Sequence, residues 1–133
     1  MAGNVFVNGT FDVLHPGHMA LLEYAKSLGD RLFVAIDCDH RVRKLKGQER
    51  PVNDSYVRKL MLESIRWVDE VIIFGSDEDL DSLVMKIRPR HMVVGSDYKD
   101  KLVIGSRWAK QLHFFDKIDG YSTTNTIQRI TSR

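Results

Sequence analysis

Two histidines three residues apart, His15 and His18, close the segment Asn8-Gly9-Thr10-Phe11-Asp12-Val13-Leu14-His15-Pro16-Gly17-His18. On a helix that spacing puts both imidazoles on one face. Pro16 suits a first helical turn, where its missing N–H would go unpaired anyway. Gly17 leaves the space between the two rings open. Gly9 lets the chain turn and lets a ligand approach the backbone without meeting a Cβ. Free N–H groups and the dipole at a helix start favour an anion. The combination suits a phosphate whose negative charge grows during reaction. Metal-binding histidines on a helix usually sit four apart beside a carboxylate, so a metal pair is disfavoured. No G-x-x-x-x-G-K-[ST] or G-x-G-x-x-G run is present, which weakens a kinase or dehydrogenase reading.

Other candidates lie further along. The stretch Asp39–Val52 reads as one long loop in which Arg41, Arg43, Lys44, Lys46 and Arg50 face Glu49. A loop of that length in a compact domain is more often functional than decorative. Ser122-Thr123-Thr124 reads as a helix cap, and capping and phosphate binding use the same N–H groups. Cys38 reads as a small buried hydrophobe. Trp67 and Trp108 read as core or dimer-contact residues, and His91 and His113 as structural.

These groups need a scaffold. Val5–Val7, Leu32–Ile36, Val71–Phe74, Met92–Val94 and Leu112–Phe115 are short apolar runs, mostly unbroken, as in strands covered on both faces. Between them the apolar spacing becomes three and four: Leu21, Leu22, Ala25 and Leu28; then Val57, Leu60, Met61, Ile65 and Val68; then Leu80, Leu83, Val84 and Ile87. Asn53 and Ser76 can cap helices, Gly29 closes the first and Pro89 follows the third. A weaker helix is expected near Val103–Lys110 and a last one from about Thr123 to Ile130. The alternation predicts an α/β domain with a parallel sheet and helices on both faces.

The 133 residues suit a single domain with a sizeable core. Twenty Lys+Arg against eighteen Asp+Glu leave +2, too balanced for a general nucleic-acid or membrane-surface binder. The longest apolar run, Leu32–Ile36, is far below the roughly twenty residues of a membrane helix. Cys38 cannot form an internal disulfide and the first residues lack a signal-peptide pattern, so a cytoplasmic location is expected.

Gly9-Thr10-Phe11-Asp12 with His15-Pro16-Gly17-His18, followed far downstream by Tyr121-Ser122-Thr123-Thr124-Asn125, resembles the paired H-x-G-H and S-T-T boxes of the cytidylyltransferase-like nucleotidyltransferases. The resemblance runs in order over nearly the whole chain. It implies a Rossmann-like three-layer sandwich on a five-stranded parallel sheet, one nucleotidyltransferase domain over residues 1–133. It also implies transfer of a nucleoside monophosphate from a triphosphate to a phosphorylated small molecule, with release of pyrophosphate. Mg²⁺ accompanying the triphosphate and a homodimer are implied too. Carried over by residue, His15, His18 and Lys46 are catalytic. Gly9, Thr10, Phe11, Gly17, Arg66, Gly95, Asp97, Lys117, Gly120, Ser122, Thr123 and Thr124 bind the nucleotide. Asp12, Lys46 and Arg58 bind the second substrate.

Two branches of that family compete. Leu45-Lys46-Gly47, Arg50-Pro51-Val52-Asn53, Gly95-Ser96-Asp97-Tyr98-Lys99 and Asp119-Gly120-Tyr121-Ser122 are similar to the adenylyltransferase domain that makes ADP-heptose. The segment Arg58–Asp69 is similar to glycerol-3-phosphate cytidylyltransferase, whose R-T-E-G is here Lys117-Ile118-Asp119-Gly120. ATP with a sugar 1-phosphate is favoured over CTP with glycerol phosphate. A nucleotide-binding module without turnover is the remaining alternative.

Overall fold

The structure, a computed structural model, describes residues 3–116 and 122–132. The five apolar runs become strands β1 (Asn4–Gly9), β2 (Arg31–Asp37), β3 (Glu70–Phe74), β4 (His91–Gly95) and β5 (Gln111–Phe115). All pair in parallel, in the order β3-β2-β1-β4-β5. The helices are α1 (Pro16–Ser27), α2 (Asp39–Lys46), α3 (Ser55–Glu63), α4 (Asp77–Ile87) and α5 (Thr123–Thr131).

Both faces of the sheet are buried, the condition under which strands lose their alternation. Val5, Val7, Val34, Ile36 and Val93 pack with Leu22 and Ala25 of α1 and Leu62 of α3. Phe6, Ala35, Met92 and Val94 on the opposite face pack with Leu80 and Val84 of α4. The result is the expected three-layer sandwich. The chain builds outward from β1 through β2 to β3 and then crosses back to β4. The order therefore reverses between β1 and β4, and a crevice opens beyond their carboxyl ends, where open α/β sheets bind ligands.

Four local expectations change. Asp39–Val52 is not all loop: α2 occupies Asp39–Lys46. Only Val42 of that helix is buried, so its charged residues left too little apolar periodicity to reveal it. Asp54, not Asn53, caps α3, its Oδ1 accepting from Val57 N at 2.9 Å. α3 ends at Glu63, while Ile65 and Val68 reach the same core from the turns that follow. The helix expected near Val103–Lys110 is one 3₁₀ turn, Ser106–Trp108. The Ser76 cap forms as expected, accepting from Asp79 N.

Candidate active site

A cavity of about 640 Å³ lies over the ends of β1, β2 and β4, a size typical of small-molecule sites. Its walls include Gly9, Thr10, Phe11, His15, Gly17, His18, Lys46, Gly95, Asp97, Ser122, Thr123 and Thr124. The topology thus brings into one place candidates drawn from both ends of the chain. Lys117 and Gly120 lie outside the described residues.

The turn out of β1 works differently from the sequence expectation. Gly9 does not take the left-handed conformation; Phe11 does, with φ 51°. A Cβ on Gly9 would stand 3.0 Å from Cε2 of Phe11, so Gly9 makes room for that ring. The Phe11 ring is buried and lies 5.1 Å from the His18 ring. A large side chain held at positive φ costs on the order of 1–3 kcal/mol, and such strain clusters at functional sites.

The first turn of α1 is wired through its histidines. His15 Nδ1 accepts from Gly17 N at 3.1 Å, and His18 Nδ1 accepts from His15 N at 3.2 Å. This is an imidazole version of a capping box. The His15 carbonyl takes the N–H groups of His18 and Met19, and Pro16 has none to offer. The expectation of free N–H groups at this end is therefore corrected, since α1 spends them on its own cap. What α1 offers in exchange follows from the tautomer. A neutral ring whose Nδ1 accepts must carry its proton on Nε2, so each ring holds its N–H on the side away from the helix backbone. The rings stack with centroids 3.8 Å apart. Burial, and secondarily the neighbouring His15, push the His18 pKa down to about 4, and burial lowers that of His15. In the ligand-free site at neutral pH, His18 is thus a neutral donor.

The start of α5 is capped by its own hydroxyl. The Ser122 hydroxyl accepts from Asn125 N, and its carbonyl from Thr126 N, while the Thr123 hydroxyl donates to Val13 O at 3.0 Å. That last bond ties the start of α5 to the loop entering α1, so the two helix starts border one cavity.

One residue expected at the ligand is instead inside the protein. Arg58 is 1% exposed and does not line the cavity. Its guanidinium donates to the carbonyls of Asn53, Thr10 and Asp37 and to the Asp39 carboxylate at 2.7 Å. A buried arginine must have its charge and donors satisfied. Here that need pins together the ends of β1 and β2 and the starts of α2 and α3. The Asp12 side chain is fully buried, its oxygens accepting from Val52 N and Asn53 N at 2.8 Å each and from Arg50 at 3.3 Å. It organises the 50–53 segment and also forms part of the cavity wall, where it was expected. Arg66 is exposed, lies over the Trp67 ring and is also absent from the cavity wall.

Residues not anticipated also border the cavity. Asp37 accepts from Thr10 Oγ1 and from Arg41 Nε, and Arg41 continues to Asp77. Arg50 joins them, together with an apolar wall from Leu102, Val103, Ile104 and Phe115. Arg41 and Arg50 belong to the basic stretch of the sequence; their separation from solvated charges needed the fold. Cys38 is only partly buried and precedes α2. Trp67 and Trp108 pack against the two cores. His91 and His113 join Nδ1 to Nε2 at 3.0 Å, away from the cavity. Among the described residues no helix is long and apolar enough to cross a membrane.

Comparison with known proteins fits this geometry. The family model described as Cytidylyltransferase-like matches residues 6–129. The chain belongs to the cytidylyltransferase-like family. Its relatives include the "Bifunctional protein HldE" of Campylobacter jejuni strain RM1221, 43% identical over 97% of this chain and 28% of the relative. That of Helicobacter hepaticus is 44% identical over 95% of this chain and 26% of its own length. The chain thus spans just over a quarter of these relatives. Among solved structures, a lipopolysaccharide core biosynthesis protein from Thermoplasma volcanium superposes with TM-score 0.72 at 27% identity, covering 87% of this chain and 98% of that one. Pantothenate synthetase from Thermus thermophilus shares the fold, with TM-score 0.64 at 19% identity, covering 93% of this chain and 61% of that one. In this cytidylyltransferase-like chain the H-x-G-H box and the S-T-T box are the two helix starts that meet at the cavity.

Proposed function

We propose that the chain transfers the adenylyl group of ATP to a sugar 1-phosphate and releases pyrophosphate. The observation that carries this reading is the stacked His15–His18 pair, both Nδ1 atoms accepting backbone N–H bonds, beside a second helix start in one cavity. Nucleotidyl transfer asks a protein chiefly to position two substrates and neutralise charge. An oxygen of the acceptor phosphate attacks the α-phosphorus in line. The bond to the β-phosphate oxygen breaks, and its electron pair leaves with pyrophosphate. The Nε2–H groups of His15 and His18 donate to the α-phosphate oxygens as charge gathers there. Donors fixed in advance of that charge are worth about 3–4 kcal/mol each. The start of α5 with Ser122, Thr123 and Thr124 takes the departing phosphates, and Lys46 screens them or the acceptor from the end of α2. The nucleoside lies toward the apolar wall formed by residues 102–104 and Phe115.

Mg²⁺ fits this reading as part of the ATP substrate. Asp12 and Asp37 spend their oxygens on protein donors, and no group of three His, Cys, Asp or Glu among the described residues could hold a resident metal. The ion would supply charge screening on the phosphate oxygens. ATP is favoured over CTP by the likeness of Leu45-Lys46-Gly47, Arg50-Pro51-Val52-Asn53 and Gly95-Ser96-Asp97-Tyr98-Lys99 to the adenylyltransferase domain that makes ADP-heptose. Action as one domain, as a homodimer and in the cytoplasm completes the proposal; sedimentation of the purified chain tests the dimer.

The deciding experiment is a matrix of ATP and CTP against heptose 1-phosphate, glycerol 3-phosphate and other phosphorylated acceptors, read by pyrophosphate release. Turnover with ATP and a sugar 1-phosphate is expected. Turnover confined to CTP and glycerol 3-phosphate would transfer the chain to the other branch, and nucleotide binding without pyrophosphate would make it a non-catalytic module.

A further inference from the structure

The part of the cavity wall drawn from α2 and the 50–53 segment carries three cations, Arg41, Lys46 and Arg50. They are not equivalent. Arg41 is committed to protein, donating to Asp37 from Nε and to Asp77 from Nη2 at 2.7 Å each. Lys46 is exposed at the last residue of α2. Arg50 has a side chain only 16% exposed, and among the described residues the one hydrogen bond of that side chain runs from Nε to Asp12 at 3.3 Å. Asp12 is itself immobilised by Val52 N and Asn53 N. Holding Nε leaves the two Nη nitrogens as a planar fork. A guanidinium anchored at one edge, largely dry and open at the other suits two oxygens of one anion.

The His15–His18 pair and the start of α5 already provide for the phosphates of the nucleotide. They come from the helices that follow β1 and β5, whereas Arg50 sits between α2 and α3. We propose that Arg50 grips the phosphate of the acceptor through both Nη nitrogens, with Asp12 as the residue that positions it. This rests on the nucleotidyl-transfer reading above and names the acceptor subsite within it. Asp12, itself in the cavity wall, acts in this recognition by holding another side chain.

Steady-state kinetics with each substrate varied in turn test the assignment. Arg50→Ala is expected to raise the acceptor KM about 10- to 100-fold, the loss of a charge-assisted pair, with the ATP KM within about twofold. Arg50→Lys keeps a cation beside Asp12 and so protects the fold, yet replaces the fork by a point charge; about a tenfold rise in acceptor KM is expected. Asp12→Asn should reproduce the acceptor effect and spare the ATP KM, a split that general loosening of the site would not give. An unchanged acceptor KM in Arg50→Lys, or a rise in the ATP KM instead, overturns the inference. If the wild-type chain turns over with neither ATP nor CTP, the proposed function fails by itself. Inorganic phosphate titrated calorimetrically with ATP present then decides the subsite. Binding lost in Arg50→Lys supports it, and equal binding in both proteins removes it.

Discussion

Lowering the pH should weaken the ligand-free protein, and His18 makes the contribution that can be isolated. Its pKa falls from the ordinary 6.5 to about 4, chiefly because burial strips water from the charged ring and secondarily because His15 stacks on it. Between those values the unfolded chain binds a proton that the folded chain refuses. Stability is therefore full above pH 6.5 and is lost as pH falls toward 4. The displacement corresponds to about 3 kcal/mol in full, and to about 2.5 kcal/mol by pH 4.5. Against a total near 5–15 kcal/mol that is a sizeable fraction. Carboxylates titrate in the same range, so the informative quantity is a double difference. Urea unfolding of wild type and His18→Asn is compared at pH 7.5 and 4.5, since Asn can still accept from His15 N but cannot take up the proton. Wild type should lose about 2.5 kcal/mol more than the variant, roughly a 1 M larger drop in urea midpoint. Parallel losses in the two proteins would refute the reasoning. So would a His18 resonance titrating near 6.5 in the free protein.

His15→Ala or His18→Ala should lower turnover at least a hundredfold in a pyrophosphate assay while changing nucleotide affinity less; near-normal turnover in either variant would exclude the pair from the transition state. Lys46→Ala should raise the KM for one substrate, and unaltered kinetics toward both would remove the end of α2 from the site. Arg58→Met should cost about 3–5 kcal/mol in urea unfolding, because the carbonyls of Thr10 and Asp37 and the Asp39 carboxylate lose their donor; a fully stable variant with a raised KM for the second substrate would return Arg58 to substrate binding. Gly9→Ala should destabilise by about 1–3 kcal/mol as its Cβ meets the Phe11 ring, and a melting curve like that of wild type would contradict the close approach.

The five strands and the helices α1, α3 and α4 are legible in the amino-acid sequence, because apolar periodicity is a local property of neighbouring residues. α2 is not legible there, since a short helix with one buried residue writes almost no period into its sequence. The histidine pair is legible because its geometry depends only on three-residue spacing and the flanking Pro16 and Gly17. The use of its Nδ1 atoms is not, since it depends on how the first turn of α1 closes on itself.

The charged residues mark the division most sharply. Asp12, Arg50 and Arg58 all stand in segments that the sequence alone marks as candidates for phosphate handling. Whether each faces a ligand or its own protein was decided by the fold. Arg58 reaches Thr10 across 48 positions, and Asp12 meets Asn53 across 41. Such partners are set by the order of strands in the sheet rather than by spacing along the chain. A buried charge must be answered wherever the backbone happens to bring donors and acceptors together, so composition and motif can nominate these side chains but only tertiary contact assigns their work.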